Sequence, residues 1–89
     1  MNSHTTERFR RARDKLPAHV RQQARGAYKQ FLRDPWHPSL QFKKVHSTLP
    51  IYSARISRDY RAVCTWVEDE VTWFWIGPHA EYDKLLAQL

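Results

Sequence analysis

The hydrophobic pattern of this chain changes period once, at Asp34-Pro35, and that change limits the folds open to it. Before it, apolar residues recur every three to four positions: Phe9, Ala12 and Leu16, then Val20, Ala24, Ala27, Tyr28, Phe31 and Leu32. This is the spacing of two amphipathic helices. Pro17 ends the first and can stand in the first turn of the second. So short a link predicts an antiparallel helical hairpin. Asp34-Pro35 stops the second helix, and Trp36-His37-Pro38 continues as a loop.

After the change, strands are expected. Phe42 to Val45 is a short candidate, followed by a loop from His46 to Pro50. Ile51 to Ser57 alternates, with Tyr52, Ala54 and Ile56 on one face and Ser53, Arg55 and Ser57 on the other. Tyr60 to Val67 puts Tyr60, Ala62, Cys64 and Trp66 on one side and Arg61, Val63, Thr65 and Val67 on the other. Glu68-Asp69-Glu70 reads as a charged turn, and Val71 to Ile76 as the most apolar strand, ended by Gly77-Pro78. Plain alternation there pairs Trp73 with Trp75 on one side and Phe74 with Ile76 on the other. Apolar residues on both sides suggest a covered central strand. His79 to Leu89 should close the chain as a helix, with Tyr82, Leu85, Leu86 and Leu89 facing inward. Met1 to Thr6 is polar and shows no period.

Short links between strands imply antiparallel neighbours. The expectation is an α+β fold: a helical hairpin packed on a mainly antiparallel sheet of three to four strands, with a short C-terminal helix. Eighty-nine residues predict one domain, residues 1–89. Four Trp, four Tyr and four Phe supply the dense core that so short a chain needs. Fifteen Lys and Arg against nine Asp and Glu leave a formal charge of +6, which favours polyanions or an acidic partner. Nine of those basic residues lie between Arg8 and Arg33. The lone Cys64 cannot form an internal disulfide, and its apolar surroundings make it a structural thiol in a reducing compartment. No membrane span or signal core is visible, so a cytoplasmic protein is expected.

The order of elements, with three motifs, resembles the RelE/ParE toxin superfamily of type II toxin–antitoxin systems. The motifs are Ile51-Tyr52-Ser53-Ala54-Arg55-Ile56, then Asp59-Tyr60-Arg61-Ala62-Val63, then Trp75-Ile76-Gly77-Pro78-His79. The likeness runs from about Thr6 to Leu86. Members of the superfamily open on a β-strand, which here is expected to be short or missing. The resemblance implies a toxin that cleaves messenger RNA on the ribosome without a metal or cofactor. An acidic antitoxin would be its partner, with no membrane involved. Other branches imply a gyrase inhibitor of the ParE type, or a solitary binding module without toxicity.

Three residues are candidates for catalysis. Arg61 alternates away from the apolar face of its strand, where a guanidinium can hold a phosphate through two parallel hydrogen bonds. Its alternative is an ion pair with Asp59 or Glu81. Arg55 and His79 match positions where relatives carry functional cations or a histidine, and imidazole titrates near neutrality. Ser53 stands where some ribosome-dependent relatives have Lys. Lys43 and Lys44 are candidates for tracking RNA phosphates, or keep an edge strand soluble. His37 resembles a loop histidine that acts in one branch, and Tyr82 an aromatic residue that stacks on a base, although core packing suits Tyr82 as well. His37, His46 and His79 have no Cys or carboxylate partners at metal-ligand spacing, so no metal site is expected.

Overall fold

A computed structural model describes residues 1–89, and Thr6 decides where its first helix begins. The Thr6 side chain accepts a hydrogen bond from the Phe9 amide at 3.1 Å, capping α1 (Glu7–Asp14). Glu7 in the first turn pairs with Arg11 one turn on, at 2.7 Å. The chain turns at Lys15-Leu16, and Pro17 caps α2 (Ala18–Arg33) from just outside, one position earlier than a first-turn proline. Asp34 ends α2 in an extended conformation, as expected before Pro35. Its carboxylate accepts the Trp36 amide at 2.9 Å. A single 3-10 turn, Pro38–Leu40, then leads to the sheet.

Five strands form that sheet, not three or four: β1 (Asn2–Thr5), β2 (Lys43–Lys44), β3 (Ile51–Ser57), β4 (Tyr60–Val67) and β5 (Glu70–Pro78). Their order is β1-β5-β4-β3-β2, antiparallel except that β1 runs parallel to β5. The extra strand is the polar Met1–Thr6 segment. It is an edge strand held by backbone bonds and polar ends, so it needs no apolar alternation. The terminal amine pairs with Asp69 at 3.0 Å, and Glu70 receives bonds from Asn2 and His4.

A bulge in β5 overturns the expected faces of its aromatic residues. Val63 pairs with Trp75 but Cys64 pairs with Trp73, leaving Phe74 as an extra residue. Val71, Trp73 and Ile76 consequently face the hairpin, whereas Phe74 and Trp75 face the other way. On the hairpin side, Phe31 meets Phe42 and Trp73 edge-on at 5.1 Å each. A fully buried side chain of this size contributes roughly 1.5–3 kcal/mol. The opposite side is covered by α3 (His79–Gln88), where Tyr82 packs on Ile51 and Val63. Leu89, expected to face inward, is instead exposed at the chain end.

Candidate functional site

At the end of the sheet where β3 turns into β4, Arg55 lies directly opposite Arg61, and Arg61 lies opposite Gly77. Residues paired across strands share a face, so both guanidinium stems rise from the side that α3 covers. Two like charges placed opposite each other destabilise a sheet. The register shifts just beyond them, between Arg55 and Ser57, and such irregularities re-aim side chains.

Arg61 folds back over the turn. Its Nη1 donates to the carbonyls of Ser57 at 2.6 Å, Tyr60 at 3.0 Å and Arg58 at 3.3 Å. The turn carbonyls hold one edge of the guanidinium, and Nε and Nη2 make no hydrogen bond within the chain. Neither the Asp59 nor the Glu81 pairing considered for it occurs. None of the chain's five ion pairs involves Arg55 or Arg61.

His79 starts α3 beside the same turn, its amide bonded to the Asp59 carbonyl at 2.8 Å. Its Nδ1 faces the Asp83 carboxylate at 3.2 Å, and its side chain is 45% exposed, so Nε2 can reach solvent. A carboxylate on one imidazole nitrogen fixes the tautomer and points the other nitrogen outward. Asp83 is thus a candidate site residue that sequence reasoning missed, although the His-x-x-x-Asp spacing on a helix would have revealed it. Gly77 is needed for space: an added Cβ would lie 2.9 Å from two carbons of the Trp75 ring. Trp75 therefore lies over the strand next to Arg61, half-buried.

The other candidates divide. Lys43 pairs with Ser53 and shares the Arg55 face, one row away; Lys44 pairs with Tyr52 and belongs to the hairpin face. Both are exposed. His37 does not join the site. Its Nδ1 accepts the Ser39 amide at 3.2 Å and contacts the Ser39 hydroxyl at 2.8 Å, capping the 3-10 turn on the hairpin side. Tyr82 is corrected as well. It is only 5% exposed, and its hydroxyl donates to the buried Ser53 Oγ at 2.9 Å, so its ring is closed to a stacking base. Burial also pushes the Cys64 thiol up to about 12, which leaves it unreactive.

A helical hairpin on one face, a five-stranded mixed sheet and a closing helix on the other make up a RelE-type toxin fold. The structure is similar to the toxin fold in the RelB-RelE complex from Methanococcus jannaschii, with a TM-score of 0.73 at 13% identity, covering 91% of this chain and 95% of that one. It is also similar to YafQ from E. coli, with a TM-score of 0.70 at 9% identity over 91% and 96% of the two chains. For the E. coli RelBE toxin–antitoxin complex, the TM-score is 0.66 at 22% identity over 85% and 93%. None of the curated proteins matches the chain. The family model of the ParE-like toxin domain matches residues 18–84, and the chain belongs to that family within the RelE/ParE toxin superfamily.

Proposed function

We propose that the chain is the toxin of a type II toxin–antitoxin system and cleaves messenger RNA in the ribosomal decoding site. The observation that supports this most is the Arg55–Arg61 cross-strand pair beside the carboxylate-oriented His79. In the proposed reaction a ribose 2′-oxygen forms a bond to the adjacent phosphorus, and the bond from phosphorus to the 5′-oxygen breaks. The 2′-hydroxyl proton goes to a base, and the departing 5′-oxygen takes up a proton. His79 can serve either proton transfer, because a guanidinium does not give up its proton in proteins. Arg55 and the free Nε and Nη2 of Arg61 offset the charge that builds up on the phosphate oxygens. Lys43 extends the same face toward neighbouring phosphates, and Lys44 can do so only around the sheet edge. The scheme uses no metal ion. An acidic antitoxin would neutralise the toxin by covering this basic surface.

Purified ribosomes stalled on messenger RNA provide the test, with cleavage mapped at the decoding site. The wild-type chain should cut, and an Arg61→Ala, His79→Ala double variant should not. Undiminished cutting by the double variant would reject the site.

One observation favours a second reading. Ser53, where some ribosome-dependent relatives carry Lys, is buried beneath Tyr82, so no cation occupies that point of the face. A gyrase inhibitor would use the fold without the cleavage chemistry. It should block supercoiling by purified gyrase and leave ribosome-bound message intact. A solitary non-toxic relative would do neither, and its induced expression would leave host growth unchanged.

A further inference from the structure

Gly26 stands in the middle of α2, and nothing inside the chain calls for it. Its φ is not positive, and a Cβ built there would meet no atom within 4 Å. Glycine is a weak helix former, so alanine would hold this helix better. Ala24 and Phe31 bury one side of α2, and helical periodicity puts Gly26 on the side directly away from the core.

Around Gly26 on that outer side are His19, Gln22, Gln23, Lys29, Gln30 and Arg33, all exposed except the half-buried Gln30. Of the side chains on α2, only Arg21 and Tyr28 hydrogen-bond within the chain, and neither belongs to this face. No ion pair involves α2.

Charge is a second, independent observation. The 16 residues of α2 include Arg21, Arg25, Lys29 and Arg33, and no carboxylate. These cations recur at every fourth position, so each repels the next. On α1 such a charge is offset one turn away, where Glu7 meets Arg11 at 2.7 Å. On α2 nothing within the helix does this.

The outer face of α2 is thus cationic, rich in amides, about 24 Å long and open at its centre. Such a face fits a polyanion whose backbone must come close. Single-stranded bases stack on aromatic rings, and this face has none. An acidic protein helix would bring apolar side chains to its interface, and no apolar residue is here to receive them. Glutamine amides both donate to phosphate oxygens and accept from a ribose 2′-hydroxyl. A-form RNA displays 2′-hydroxyls across a wide, shallow minor groove.

We propose that the outer face of α2 binds the sugar–phosphate backbone of double-helical RNA, as a contact separate from the strand that is cut. Lys29 and Arg33 hold phosphates, Gln22, Gln23 and Gln30 reach 2′-hydroxyls, and Gly26 lets the backbone approach the helix. The face lies on the hairpin side of the sheet, across from Arg55 and Arg61, so RNA at the cleavage site leaves it open. The choice of RNA over DNA rests on the proposed cleavage of message.

The test is fluorescence anisotropy of a labelled RNA duplex of about 16 base pairs, titrated with the full chain at several salt concentrations. Binding should saturate and be several-fold tighter than to single-stranded RNA, a DNA duplex of the same sequence or poly-L-glutamate. Lys29→Gln with Arg33→Gln should lower affinity about ten-fold and reduce the slope of log affinity against log salt by about 2. Gly26→Leu should melt no lower than wild type, because leucine is the better helix former and meets open space, yet bind about five-fold more weakly. An idle glycine would give the same melt and unchanged binding. Should Gly26→Leu melt lower, the surface double variant decides. Non-saturating association, wild-type affinity in a stable Gly26→Leu, an unchanged salt slope in the double variant, or equal binding of the DNA duplex or polyglutamate would each overturn the proposal. A chain that binds the duplex but cuts no ribosome-bound message would uphold it and remove the cleavage reading alone. The reverse pair of results would remove this proposal and leave cleavage standing.

Discussion

Replacing Tyr82 by Phe removes one oxygen, and the structure says what that oxygen does. Its hydroxyl donates to Ser53 Oγ at 2.9 Å, with Tyr82 5% and Ser53 2% exposed. Losing the bond costs about 1 kcal/mol, and stranding the Ser53 hydroxyl away from water adds to that, for a total of about 2 kcal/mol. In a chain of this size each kcal/mol lowers the melting temperature by about 4–8 °C, so Tyr82→Phe should melt roughly 10 °C lower. Ser53→Ala strands the tyrosine hydroxyl and should cost a similar amount. The double variant removes both partners, so it should lose much less than the two single losses combined, a coupling of about 1–2 kcal/mol. Urea denaturation followed by far-ultraviolet circular dichroism measures all three. Strictly additive losses, or single variants as stable as wild type, would show that α3 is not tied to β3 through this bond.

Three further outcomes are expected. Gly77→Ala places a Cβ 2.9 Å from the Trp75 ring, so the indole must move. It should lower stability by about 1–3 kcal/mol and change tryptophan fluorescence, whereas an unchanged melt would mean Trp75 does not cover Gly77. Hydrogen bonds from Asn2 and then His4 hold the Glu70 carboxyl below its ordinary range. Its support for β1 is therefore present above the pKa of the unfolded chain and is lost as pH falls through the lowered folded value. Glu70→Gln should flatten the acid-induced rise in hydrogen exchange at the β1 amides, and an equally steep rise would contradict the pairing. Cys64 should resist iodoacetamide at mildly alkaline pH in the folded chain and react promptly in urea; ready alkylation of the native protein would refute its burial.

The bounds of β3 and β4 were legible to the residue, because Tyr52, Ala54 and Ile56, and Ala62, Cys64 and Trp66, alternate onto the core beneath the hairpin. The start of α3 at His79 was legible too, from the preceding Gly-Pro. β1 was hidden because an edge strand can be held by its backbone and by polar contacts such as those of Asn2 and His4 with Glu70. The Phe74 bulge was hidden for a different reason. All four residues from Trp73 to Ile76 are apolar, so hydrophobicity cannot reveal where alternation slips by one. At the site, alternation placed Arg55 and Arg61 on one face, and the register agrees. It could not foresee that Arg61 bends onto the turn carbonyls, because those carbonyls take their places only when Ser57 to Tyr60 closes. His37 and Tyr82 went astray because a polar or aromatic residue in a suggestive position was equally suited to a cap or a core.

The central claim is that Arg55, Arg61 and His79 act on a single phosphate. Its most direct test is NMR of their side-chain nitrogen signals during titration with a deoxyribose dinucleotide, which lacks the 2′-hydroxyl and cannot be cut. All three signals should shift along curves that give one common dissociation constant. Three flat responses, or a shift at His79 with both arginine signals unmoved, would contradict the account.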